Sequence, residues 1–140
     1  MDHQHASYQV SFKLLLRRDD RFLILVDTVH GKIDFPGGRT TEDEYETPLI
    51  EILRREVTEE LGEDIRYEIG RPIVQFRRHF PSAHVFMTMV EGTYASGETR
   101  ISDEHQSGDW MRADEILALD PSRFFSPEEY RVLKVYLESR

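Results

Sequence analysis

Cysteine is absent from this chain of 140 residues, which excludes a disulfide framework, a thiolate metal site and catalysis by sulfur. Long apolar runs are absent too: no stretch approaches the length that spans a bilayer. The opening MDHQHASYQV lacks the basic and then apolar order of a secretory signal. These absences predict a cytoplasmic protein without a membrane partner. Basic residues are in deficit, with Lys and Arg at 18 against 27 Asp and Glu and a formal charge of −9, which argues against a duplex nucleic acid partner. An anionic phosphate substrate would therefore need a metal to mediate. Internal repeats, low-complexity tracts and linkers are missing as well, so residues 1–140 read as one domain, with 1–6 as a polar tail in which His3 and His5 have no nearby acidic partner.

The remaining pattern is a mixed order of strands and helices. Tyr8 to Leu16 and Arg21 to Val26 read as a hairpin turning at Arg17 to Asp20, followed by a short extended piece at Lys32 to Phe35 that stops at Pro36, Gly37 and Gly38. A long helix follows, with Thr47 as N-cap, Pro48 at its first position and Gly62 just past its end. Further strands are expected at Tyr67 to Phe76, His84 to Glu91 and Gly108 to Arg112, and a short helix at Asp114 to Ala118. Ser126, Pro127 and Glu129 supply the cap, first-turn proline and capping-box acid of a last helix through Leu137. Such an order suggests a sheet covered on both faces.

The long helix carries the chemistry. Glu56, Glu59 and Glu60 stand at i, i+3 and i+4, so three carboxylates share one face, where like charges destabilise a helix by about 0.2–0.5 kcal/mol per pair. Their position toward its C-terminal half adds an unfavourable dipole interaction. At about 100° per residue, Ile50, Leu53, Val57 and Leu61 form the main apolar stripe, while Leu49 and Ile52 share the sector that Glu56 and Glu60 occupy further along. A face packed at one end stays close to the protein at the other, which places the acids at a cleft edge. No lysine lies in the helix, and Arg55 falls on the other flank within reach of Glu51. Two readings follow: a site for a hard divalent cation, or a solvated acidic face.

The run Arg55, Glu56, Val57, Glu59, Glu60 and Gly62 resembles the second half of the Nudix box, G-x5-E-x7-R-E-U-x-E-E-x-G-U with U aliphatic. Pro36, Gly37 and Gly38 are similar to its opening, and Glu46 to its first glutamate, two positions late. The span from Gly38 to Arg55 is three residues longer than the pattern, and Glu63 stands where an aliphatic residue is usual. The resemblance, which extends over most of Tyr8 to Leu137, implies an α/β/α sandwich with a mixed sheet between helices. It implies Mg2+, with Mn2+ as substitute, bound by Glu56, Glu59, Glu60 and a carbonyl of Gly37 or Gly38, with Arg55 orienting the glutamates. It also implies a further acid in the loop Ser102 to His105 before Trp110, for which Glu104 is the candidate.

The implied reaction is attack of water at phosphorus in a nucleoside diphosphate derivative, such as a nucleotide sugar, a dinucleoside polyphosphate or a nucleoside triphosphate. Glu104 is the favoured general base, with Glu56 the alternative and His105 third. Arg77, Arg78 and Phe80 belong to a run of bases and aromatics suited to stacking a nucleobase or holding a distal phosphate. Trp110 and Phe12 are expected in the core rather than against a base. Two rival readings are a nucleotide-sensing module without turnover and an enzyme attacking sugar carbon, as GDP-mannose hydrolases of this family do. A homodimer is compatible with all three.

Overall fold

The structure, a computed structural model, describes residues 3–140. Two residues of the expected tail, Met1 and Asp2, lie outside the described residues, and residues 3–8 belong to no helix or strand. The strands are β1 (Gln9–Arg18), β2 (Arg21–Asp27), β3 (Ile33–Asp34), β4 (Gly37–Arg39), β5 (Arg66–Phe80), β6 (Ala83–Ser96) and β7 (His105–Arg112). The helices are α1 (Leu49–Leu61), α2 (Ala113–Leu117) and α3 (Pro127–Glu138), with single 3-10 turns at Glu42–Glu44 and Pro121–Arg123.

Among the described residues the strands form one seven-stranded mixed sheet. β1 is its hub. It runs parallel to β6, while on its other side Ser11 to Lys13 pair with β4 and Arg17 and Arg18 close the hairpin with β2. Between those two pairings β1 and β2 part, and the segment through β3 and β4 fills the opening. The glycine pair is thus sheet as well as turn: Gly37 lies opposite Lys13 and Gly38 opposite Phe12.

Side chains alternate across β1. Phe12, Leu14 and Leu16 pack with Leu53, Val57 and Leu61 of α1, whereas Leu15 joins Phe76, Met87, Leu133 and Leu137 on the α3 side. The expected sandwich is therefore present, with one apolar layer on each face of the sheet. Truncating a buried leucine in either layer costs about 2–5 kcal/mol. Phe12 is buried in the α1 layer, and Trp110 packs against it edge to face with Tyr94.

Several boundaries differ from the sequence reading. Pro48, not Thr47, is the N-cap of α1, and it offers no side-chain cap. Ile50 and Leu49 are exposed, so the buried stripe of α1 consists of Ile52, Leu53, Val57, Glu60 and Leu61. β5 continues past Phe76 through the arginines to Phe80; it is an edge strand, which accommodates Pro72 at a register shift. Ser126 caps α3 as expected, accepting from the Glu129 amide at 3.1 Å. Glu129 is not the reciprocal capping acid, because its carboxylate turns into the interior to meet Arg78.

Candidate functional site

The wedge of β3 and β4 sets the floor of an open cleft of about 810 Å³, whose walls include Glu56 and Glu60 of α1, Asp103 to His105, and Phe80 and Phe125. The acidic half of α1 faces inward because its own apolar stripe anchors it. Ile52 and Val57 are buried, and Glu60 follows them into the interior at 3 % exposure. The Gly37 amide donates to Glu60 Oε2 at 2.9 Å. Burial pushes the Glu60 carboxyl up to about 8, with Lys13 and the Gly37 amide opposing. Burial also raises Glu56, with Arg55 opposing and Glu59 and Glu104 adding to the rise.

The glycines are needed for contact distance. A Cβ on Gly38 would fall onto the Glu56 carboxylate, and one on Gly37, at φ +136°, would fall onto the Phe12 carbonyl oxygen. At Gly38 the backbone therefore approaches the Glu56 carboxylate more closely than any other residue would allow. Lys13 Nζ donates to the Gly37 carbonyl at 3.1 Å.

Arg55 corrects the expected Glu51 pair. Its guanidinium reaches forward and across, with Nη2 2.6 Å from Glu44 Oε2, Nη1 3.1 Å from Glu59 Oε1 and Nη1 3.3 Å from Glu56 Oε1. The glutamate that meets Arg55 is thus Glu44, while Glu46 is exposed. The 3-10 turn at Glu42–Glu44 explains it: Glu44 folds back to accept from the Thr41 amide at 2.9 Å, which aims its second oxygen at α1. Glu44 also stands six residues after Gly38, the pattern's own spacing, so the sequence carried the signal and the three extra residues lie between Glu44 and Arg55. Glu59 is more than half exposed and is not among the residues that line the cleft.

Lining the cleft as well is a buried ionic cluster that sequence reasoning missed. Asp34 accepts from Arg78 Nη1 at 2.9 Å, stands 3.3 Å from Lys13 Nζ, and has His105 Nε2 3.1 Å from its other oxygen. Burial works to raise Asp34, but Lys13, Arg78 and His105 together hold it well below the ordinary range. Arg78 also grips Glu129 through Nε at 2.8 Å and Nη2 at 2.9 Å. A lysine inside the apolar run Phe12 to Leu16 and an aspartate between Ile33 and Phe35 were the available signals.

The expected phosphate contacts fare unevenly. Arg77 does not line the cleft: its guanidinium and amide are both engaged by Glu128. Arg78 lines it, but buried and committed to two carboxylates. Phe80 reaches the mouth, where its ring meets His30 at 5.6 Å and Phe125 at 5.7 Å, with Arg39 lying 5.0 Å from its centroid. Glu104 is exposed and stands with Glu60 and His105 in a group whose ligand atoms lie within 4.8 Å of one another. The Glu104 and Asp103 carbonyls accept from the Thr28 amide at 3.0 Å and its hydroxyl at 2.8 Å, which ties the loop to the end of β2. His105 is the first residue of β7 rather than part of the loop.

A family model described as NUDIX domain matches residues 7–133. No curated protein matches the chain by sequence. Among solved structures, a MutT protein from Methanosarcina mazei Go1 is similar at 24 % identity and TM-score 0.80, covering 98 % of each chain. A MutT NUDIX hydrolase from Burkholderia pseudomallei aligns at 22 % identity and TM-score 0.71, over 93 % of this chain and 99 % of its own. An ADP-ribose pyrophosphatase from Streptococcus suis 89-1591 aligns at 18 % identity and TM-score 0.68, over 95 % of this chain and 92 % of its own. At these identities the likeness to the structures is one of fold.

Proposed function

The chain belongs to the NUDIX family and is a pyrophosphohydrolase of that family, and we propose that it cleaves the diphosphate of a nucleoside diphosphate carrying a further group, by attack of water at phosphorus with a divalent cation. The observation that carries this reading is the pair of inward carboxylates, Glu56 and Glu60, pressed against the Gly37 and Gly38 backbone at the floor of an open cleft. Burial raises both carboxyls and Glu104 adds to the rise in each, a cost of ionisation that a hard cation relieves.

The donor set fits Mg2+ or Mn2+. Glu56, Glu60 and the more exposed Glu59 would hold the ion together with a backbone carbonyl, for which we assign Gly38 because Lys13 already donates to that of Gly37. When bound, the cation offsets the repulsion between acids and substrate, stabilises charge on the transferring phosphoryl group and acidifies water. Arg55, fixed by Glu44, holds Glu56 and Glu59 in place. Glu104, exposed on a tethered loop, takes the proton of the attacking water, with Glu56 as the alternative base. Phe80 at the mouth, beside Phe125 and His30, offers an apolar and aromatic surface for the base. The absence of cysteine suits a cytoplasmic setting.

The test is turnover of nucleotide sugars, dinucleoside polyphosphates and nucleoside triphosphates in oxygen-labelled water, with Mg2+, with Mn2+ and with chelator. The label is expected on phosphate, and activity is expected to vanish with chelator. Full activity without metal, or label on the sugar, overturns the reading.

A further inference from the structure

His105 is a buried imidazole with one nitrogen accounted for and one not. Its side chain is 3 % exposed, and Nε2 sits 3.1 Å from Asp34 Oδ2. Nδ1 is buried without a hydrogen-bond partner among the described residues. Asp34 also receives Arg78 at 2.9 Å and lies 3.3 Å from the Lys13 ammonium, so it is a firmly anionic acceptor. An anionic Asp34 fixes the tautomer: Nε2 carries the proton and donates, and Nδ1 is left with its lone pair. A proton on Nδ1 would be a buried donor with nothing to accept it, which costs about 1–3 kcal/mol.

A buried lone pair without a donor requires the same explanation as any orphaned polar group. Three facts bear on it. The imidazole, Glu60 and Glu104 bring ligand atoms within 4.8 Å of one another. Glu60 uses Oε2 for the Gly37 amide, so its Oε1 is available. A histidine whose second nitrogen donates to a carboxylate is the arrangement in which imidazole binds metal, the carboxylate setting ring orientation and basicity. The carboxylate here is held in turn by Lys13 and Arg78.

We propose that His105 supplies a nitrogen ligand, through Nδ1 oriented by Asp34, to the cation held by Glu60, making the centre one of mixed oxygen and nitrogen donors. The inference rests on the metal reading given above and deepens it. Glu104, the third member of the group, remains free to accept a proton from the attacking water. The consequence is selectivity. Imidazole suits Mn2+ and later first-row ions better than Mg2+, which demands oxygen donors, so this centre favours the transition metal more than a carboxylate site alone would.

Pulsed EPR of Mn2+ bound to the intact protein tests this directly, beside calorimetric affinities for Mn2+ and Mg2+. A directly bound nitrogen coupling is expected in the wild type, changed by isotopic labelling of histidine and lost in His105→Gln. That variant should bind Mn2+ about tenfold more weakly, with a smaller loss for Mg2+. Mn2+ binding without nitrogen coupling overturns the histidine ligand and leaves the metal reading standing. Failure of Mn2+ to bind at all overturns the metal reading itself. Should His105→Gln not fold, labelled wild type and His30→Gln decide: a histidine coupling that persists without His30 supports His105, and one that disappears with His30 refutes it.

Discussion

Glu60→Gln in metal-free protein is the sharpest test of how the acid cluster is held. The Glu60 carboxyl stands at about 8 against an ordinary 4.5, with burial as the main cause. A difference of about 3.5 units corresponds to at most about 5 kcal/mol. The folded state keeps a proton that the unfolded chain releases, so without metal the stability is fully present below about pH 4.5 and falls as pH rises toward about 8, then levels. At about pH 7 the loss already reaches about 3 kcal/mol. Glutamine cannot ionise, yet its amide oxygen can still accept from the Gly37 amide. The variant should therefore be flat over this window where the wild type declines, and should melt about 10 °C higher at about pH 7 in chelator. Groups without interaction with Glu60, such as Asp120, contribute equally to both proteins, so the difference between the curves isolates Glu60 together with its coupling to Lys13, Asp34 and Glu104. Urea unfolding followed by circular dichroism at steps from about pH 5 to about pH 8.5, in chelator, measures it. Adding Mg2+ should reverse the order, stabilising the wild type by mass action and the variant much less. Parallel curves for the two proteins would refute the burial argument.

Three further outcomes follow from the geometry. Gly38→Ala should fold, because the Glu56 carboxylate can swing away from the new methyl, but should lose metal affinity by about ten- to a hundredfold in calorimetry; unchanged affinity would remove Glu56 from the ligand set. Arg78→Ala should cost about 3–5 kcal/mol in chemical denaturation by stranding Asp34 and Glu129, whereas Arg77→Ala, which frees a Glu128 that keeps partial access to solvent, should change stability less; an Arg78 variant of normal stability and raised KM would restore its role as a phosphate contact. Glu104→Gln should lower kcat by about a hundredfold or more and leave metal affinity nearly unchanged, and a loss of affinity instead would make it a ligand.

What the sequence determined by itself was local in kind. The spacing of Glu56, Glu59 and Glu60 puts them on one face because helical geometry is fixed, and Gly62 ends α1 by the conformation it alone adopts readily, φ +91°. Apolar runs in β1, β2 and α1 announced the layers, since burial drives those residues together wherever the chain meets. The wheel of α1 also pointed Glu56 and Glu60 to a cleft edge, and both line the cleft, although Leu49 of the same sector is exposed and Glu60 goes deeper than an edge. Tertiary structure decided the partners. Nothing in the local pattern of α3 says that Glu129 leaves the helix cap for Arg78, 51 residues away, or that Asp34, Lys13 and His105 converge on the cleft. Those choices depend on β1 and β2 parting to admit β3 and β4, and on β5 laying Arg78 beneath α3. A buried charge takes whichever opposite charge the packed backbone delivers within hydrogen-bonding distance, and that is settled only when the sheet closes.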